Sequence, residues 1–298
     1  MKDDIYPKKT ITMRHKNFQQ KFFYIFLLII TLIVIAFVLG IIMYLIIKGA
    51  GAITWEFLSQ KPSAGMREGG IFPAILGTIY LIIGTIIISL PIGVFSAIYL
   101  NEYAKQNKLT NIVKMSIVNM AGVPSVVYGL FGLGFFVLFL KFGRSIIAGS
   151  LTLALLILPV IITATEEALR AVPNAYRHAS LALGATKWQT IVKVTLPQAI
   201  PGIITGTVLG VGRAAGETAP ILFTAAAFFQ PNLPNSIFDQ VMALPYHLFV
   251  LVTQVSDAPD DKKWGTALVL LIIVLFFSVI GTGLRTRARL KRQSGHDV

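Results

Sequence analysis

HASLALGATKWQTIVKVTLP, residues 178–197, is a polar, basic segment set between two long apolar runs. What surrounds it decides the class of protein. Of 298 residues, 55% are hydrophobic and 13% charged, and the mean hydropathy is +0.75. A soluble domain carries about 25% charged residues, so the composition is that of an integral membrane protein. A spanning helix needs about 20 mostly apolar residues. Six runs meet that length, at about 22–47, 71–100, 113–140, 146–165, 199–229 and 265–284. The expected fold is therefore all-α, with six transmembrane helices and both termini on one side.

The basic residues name the side. The net charge is +13. Eighteen lysines and arginines fall in the N-tail, the 101–114 loop, the 166–198 loop and the C-tail, against seven in the opposite loops. That bias places both termini and the 166–198 loop in the cytoplasm. Because the charge flanks apolar runs and forms no stripe with interleaved aromatics, a nucleic-acid partner is not expected. Membrane lipid is the surrounding partner. The N-terminal apolar run is too long for the core of a cleaved signal peptide and lacks a small-residue cleavage site. The expected organisation is a cytoplasmic tail over 1–21, a first span over 22–48, a core over 71–285 holding five spans, and a cytoplasmic C-tail over 286–298. Within the core lie a cytoplasmic loop at about 168–197 and an outer loop at 230–264. The outer loop contains VMALPYHLFVLVTQV, residues 241–255, which is short, carries Pro245 and His247, and reads as an interfacial or re-entrant helix.

Several chemistries are missing from the sequence. There is no cysteine, no Gly-Lys dipeptide and hence no phosphate-binding P-loop, and no HExxH. The four histidines are scattered, so no metal site is expected. No nucleophile is paired with a base, and no residue is assigned a catalytic role. If ATP drives this protein, the ATPase is a separate chain.

Pro173 is expected to interrupt a helix and Gly184 to take a left-handed turn between two short helices. Ala179, Ala182 and Ala185 are small enough to let a partner approach. Trp188 and Ile191 offer an apolar face, Lys187 and Lys193 stay in water, and Pro197 opens the next membrane helix, where proline is tolerated. An amphipathic loop lying on the membrane surface accounts for the pattern equally well.

Farther along, Arg213 and Glu217 stand one turn apart inside an apolar run. Arg213 lies ~21 Å along a helix starting near Ala199. A charge at that depth is expensive and usually faces a polar cavity. A tetrahedral oxyanion needs a positive partner with several donors, which guanidinium supplies. Glu217 either holds Arg213 in place or moderates its attraction so that the anion leaves, and Thr218 adjoins the pair. Pro220 is expected to kink the helix. Pro124 is expected to interrupt the third span, with Ser125 and Tyr128 bringing hydroxyls to the break. A structural ion pair and a glycine packing seam (Gly129, Gly132, Gly134) are the competing readings.

The 178–197 segment resembles the EAA loop of ABC importer permeases. In that family E-A-A, three residues, glycine and nine residues lead to I-x-L-P. Here His178-Ala179-Ser180 holds the triplet, Gly184 the glycine, and Val194-Thr195-Leu196-Pro197 the end. His178 and Ser180 replace the usual Glu and Ala. PSVVYGL (124–130), GRAAGETAP (212–220) and MALP (242–245) resemble the phosphate-specific branch, nearer its PstA type than the sister PstC. The resemblance implies a type I importer permease in a bacterial or archaeal plasma membrane. It implies a PstC-like sister permease, a PstB-like ATPase dimer holding ATP–Mg, and a PstS-like extracytoplasmic phosphate-binding protein. It assigns Arg213 and Glu217 to the translocation path, and His178, Ala179, Ser180, Gly184, Ala185, Trp188, Leu196 and Pro197 to the ATPase contact. The same role for molybdate, tungstate or sulfate, or an ion-coupled secondary transporter, are the alternatives.

Overall fold

The computed structural model describes residues 10–293; the outer parts of the expected tails, 1–9 and 294–298, lie outside them. In chain order, α1 (Thr10–Gly49) is followed by the short α2 (Trp55–Ser59). A two-residue hairpin of β1 (Pro62–Ser63) and β2 (Glu68–Gly69) leads into α3 (Phe72–Ile98). A π-helical turn, Tyr99–Tyr103, extends α3. Then come α4 (Lys108–Met120), α5 (Ser125–Gly132), continued by a π-helical stretch to Phe139, and α6 (Ile146–Arg170). The polar loop contains α7 (Asn174–Ala182) and α8 (Lys187–Thr190). A π-helical turn over Ile191–Thr195 joins α8 to α9 (Leu196–Gly216). The chain ends with α10 (Ala219–Thr224), α11 (Leu244–Thr253) and α12 (Asp260–Gln293).

Five helical stretches are long and apolar enough to cross a membrane: Gln20–Ala52, Phe72–Tyr103, Ile146–Arg170, Lys187–Gly216 and Asp260–Ala288. α4 with α5 makes a sixth when counted as one span, but the two meet at 103°. The third span expected over 113–140, with its interruption at Pro124, is therefore a sharply bent one. The bend falls where the sequence placed it, because Pro124 takes an extended ψ of 139° and biases its predecessor away from helix. The expected fifth span over 199–229 is shorter than its apolar run: α9 stops at Gly216, and residues 225–229 are not helical.

α6 is the centre of the bundle, between α3 and α9. Leu153, Leu156, Ile157 and Ile161 on it are almost fully buried. Hydrophobic burial drives little between helices that are already in lipid, so close packing of small residues takes over. A Cβ added at Gly202 would lie 2.4 Å from the Ala168 Cβ, and one at Gly206 2.4 Å from the Ala164 Cβ. Four-residue spacing on both helices thus brings α6 and α9 nearly backbone to backbone. On α3, an added Cβ at Gly77 would stand 1.9 Å from the Met242 carbonyl oxygen, which presses the entrance of α11 against that helix. Thr78 Oγ1 accepts from the Leu244 N–H at 2.8 Å, completing the joint. α11 has ten residues, about 15 Å of helix. It is too short to span, in line with the re-entrant or interfacial reading. By contrast, α1 leaves its apolar residues from Phe22 to Ile47 largely exposed, the character of a helix that faces lipid.

Candidate functional site: a charged helix break and an exposed polar loop

The α9–α10 junction holds the Arg213–Glu217 pair. Arg213 sits in the last turn of α9, where a cation suits the helix dipole. Glu217 is not on the helix face with it, contrary to expectation. It caps α9 in an extended conformation, φ −75° and ψ 129°. Pro220 would leave the Gly216 carbonyl without its helical donor. The chain breaks fully at Glu217–Thr218, three residues upstream of the expected kink, and Pro220 falls harmlessly in the first turn of α10. The pair survives the break: Arg213 Nε donates to Glu217 Oε1 at 3.4 Å. Arg213 remains 36% exposed and Glu217 17%, so the cation faces open space and the carboxylate faces the bundle. Glu217 borders a small cavity with Thr78, Leu81, Leu153 and Ala243.

The second break lies beside the first. A Cβ added at Gly129 on α5 would stand 3.0 Å from the Ala219 carbonyl oxygen and 2.9 Å from Phe223. One at Gly132 would meet Thr152 and Thr224. Both glycines of the seam are therefore packing residues, whereas Gly134 faces open space. Tyr128 is buried and within electrostatic reach of Arg213. Its hydroxyl donates to the Met120 carbonyl at 2.8 Å, so it braces the bend between α4 and α5 in this structure. Ser125 and Thr218 are half-buried at the first turns of α5 and α10. Two interrupted helices thus bring Ser125, Tyr128, Arg213, Glu217 and Thr218 to neighbouring elements. Arg144 is one of the seven basic residues counted in the opposite loops. In the fold its guanidinium donates to the Leu222 and Ala226 carbonyls and closes the end of α10.

The polar loop is built in two pieces. Gly184 has φ +83°, a left-handed conformation that disfavours any Cβ, and it turns α7 into α8 as expected. Ser180 Oγ lies 2.9 Å from Thr190 Oγ1, which stitches the two helices together. Thr186 and Gln189 form a reciprocal capping box on α8. The two short helices expected on either side of Gly184 are α7, starting at Asn174, and α8, starting at Lys187. Ile191 is buried, while Trp188 is 52% exposed, so they do not share an apolar face. Trp188 looks outward with Tyr176, Leu181 and Leu183, the last 89% exposed. His178, Ala179, Lys187 and Lys193 are exposed around them, and Ala185 lies half-buried after the turn. An apolar patch with a basic rim is the usual form of a protein-docking surface. Leu196 and Pro197 open α9, as expected, yet the helix does not begin there. The π-helical turn carries α8 into α9 as one 30-residue stretch. Pro197 cannot donate to the Lys193 carbonyl, and the wider turn absorbs that gap.

Leu181, Leu183, Tyr176, Arg177 and Glu102 were missed in the sequence. A run of leucines beside a glycine in an otherwise polar loop was the available signal for the first two.

Residues 89–289 match the family described as binding-protein-dependent transport system inner membrane component. Among curated relatives, the chain is 37% identical to the probable ABC transporter permease protein YqgI of Bacillus subtilis, over 85% of this chain and 90% of that one. It is 32% identical to the phosphate transport system permease protein PstA 1 of Mycobacterium tuberculosis, over 98% of this chain and 95% of that one. Among solved structures, it resembles a chain of a bacterial alginate ABC transporter in complex with an alginate-bound periplasmic protein. There the TM-score is 0.66 and the identity 15%, covering 91% of this chain and 96% of the other, a likeness of fold. A multi-pass bundle with a broken charged helix, an outward polar loop and a family match across two thirds of its length makes this chain a member of the binding-protein-dependent transport system inner membrane component family.

Proposed function

We propose that the chain is the PstA-type permease subunit of an ATP-driven importer of inorganic phosphate, with no catalytic chemistry of its own. It forms half of the pore with a PstC-like sister. A PstS-like protein delivers phosphate from outside, and a PstB-like ATPase dimer holds ATP–Mg at the cytoplasmic loop. The observation that carries the cargo is Arg213 at the α9–α10 break: a guanidinium in the last turn of an apolar helix long enough to span, still 36% exposed, with its less exposed carboxylate partner beside it. An oxyanion arriving at the exposed side meets a planar donor fork. Glu217 competes for the same cation, so the anion is held without being trapped. The resemblance to PstA relatives supports the same cargo.

Energy enters at the exposed face of α7 and α8. ATP closes the ATPase dimer, and the docked helices move with it. Because α8 runs into α9 without a break, displacement at Trp188 travels about 38 Å of continuous helix to Arg213. The site then alternates from outward to inward access.

Uptake of radiolabelled phosphate by cells carrying the complete set of four proteins tests the cargo. Phosphate is expected to enter, and excess molybdate, tungstate or sulfate to compete poorly. Entry of one of those anions without phosphate overturns the assignment. Uptake by this chain alone on an ion gradient would make it a secondary transporter.

A further inference from the structure

The cytoplasmic loop is tied to a second membrane helix besides α9. At the end of α3 stand Asn101, Glu102 and Tyr103. Glu102 Oε1 accepts from Arg177 Nη2 on α7 at 2.9 Å and from Asn101 Nδ2 at 2.9 Å. Arg177 also donates to the Leu169 carbonyl at 2.7 Å, the Val172 carbonyl at 2.7 Å and Asn174 Oδ1 at 3.1 Å. One guanidinium therefore closes the C-terminal end of α6 and grips α3 at once. The α7–α3 pair is well covered, with the Arg177 side chain 15% exposed and Glu102 9%. On the other side of the turn, Lys187 Nζ of α8 lies 4.7 Å from the centre of the Tyr103 ring, a cation–π contact. Lys187 stays exposed, as expected, while its ammonium rests over that ring. Both helices of the loop thus hold neighbouring residues of one π-helical turn. Beneath them Ala97, Ile98, Leu169, Ile191 and Ala199 form a shared buried apolar cluster.

At its far end α3 makes the joint already described. Thr78 accepts from the first residue of α11 and borders the cavity that Glu217 lines. α3 runs as one helical stretch from Phe72 to Tyr103, with Pro91 inside it, and accordingly links the loop to the neighbourhood of the charged break by a route separate from α9.

We propose that Glu102–Arg177 and Tyr103–Lys187 form a two-point clamp that makes α3 a second input for the ATPase stroke. In this role Glu102, Tyr103, Arg177 and Lys187 are positioning residues that convert movement of the docked loop into movement of α3. The proposal rests on the loop being the ATPase contact. It adds that gripping α9 alone is insufficient for coupling, because α7 would then swing on the Gly184 turn without carrying α3 along.

The test uses the complete complex of permeases, ATPase and binding protein in proteoliposomes, and reads phosphate imported per ATP hydrolysed. Glu102→Gln with Tyr103→Leu is expected to keep the ATPase bound and hydrolysing. The transported-to-hydrolysed ratio should fall ~5-fold or more, the low end of an ordinary coupling free energy. Tyr103→Phe keeps the ring face and should restore the ratio when compared with Tyr103→Leu alone. This second pair also reads the clamp if the buried Glu102→Gln lowers assembly. An unchanged ratio with the ATPase bound overturns the clamp and leaves the proposed function standing. A wild-type complex that hydrolyses ATP and moves no phosphate overturns both.

Discussion

Replacing Gly184 isolates the geometry of the α7–α8 loop proposed to meet the ATPase. Its φ of +83° lies in the left-handed region, and a Cβ added there would touch nothing within 4 Å. Any cost is therefore conformational and not steric crowding. An L-residue pays about 1–2 kcal/mol in that region, and a β-branched one more. A valine that relaxes to negative φ re-aims α8 against α7 and breaks the Ser180–Thr190 hydrogen bond, which costs about 1 kcal/mol further. The combined penalty of ~2–3 kcal/mol shifts the loop away from its docking geometry by ~30-fold or more. The assay is co-purification of the ATPase with the permease pair, followed by uptake. Gly184→Val is expected to lose both, Gly184→Ala to lose part, and Gly184→Asn to lose least, because asparagine visits the left-handed region readily. Equal behaviour of Asn and Val, or wild-type uptake in Gly184→Val, would refute the argument.

Two further outcomes follow from packing and charge. Gly206→Val is expected to destabilise the bundle by about 1–3 kcal/mol through overpacking, because its Cβ would meet that of Ala164 at 2.4 Å; thermal unfolding in detergent reads this, and Ala164→Gly should recover part of the loss. His247 on α11 is buried, and burial, followed by the charge of Lys262, lowers its pKa from 6.5 to about 4. The unfolded chain thus binds the proton first as pH falls. Stability is full above pH 6.5 and declines toward pH 4, by up to roughly 3 kcal/mol; melting temperatures against pH should show a slope in that window that His247→Gln removes.

Much of this architecture was legible because its signals are strong and local. Apolar length identified the membrane helices, Pro124 marked the bend before α5, Gly184 marked the left-handed turn, and the short run around Pro245 could not span. The breaks were harder. Pro220 advertised a kink, but whether a helix bends or stops depends on what receives the freed backbone groups, and that is a property of the neighbouring helices. The sequence likewise placed Ile191 beside Trp188, although Ile191 joins a buried cluster with Ile98 and Leu169 while Trp188 stays exposed. The Arg177–Glu102 contact joins residues 75 positions apart, and no periodicity reports such a pair. Ser180 in place of the usual alanine gains a local reason in its contact with Thr190, whereas nothing in the structure explains His178, which is exposed on α7.

The central claim is that a charged break at Arg213 carries phosphate through a bundle driven from the loop. Purified complex in proteoliposomes, with binding protein and labelled phosphate on one side and ATP on the ATPase side, tests it most directly with Arg213→Gln. A half-exposed ion pair contributes only about 0–1 kcal/mol to stability, so the mutant complex should assemble and bind its ATPase normally. The account predicts ATP-dependent uptake in the wild type and none in the mutant. Wild-type uptake through Arg213→Gln would contradict it.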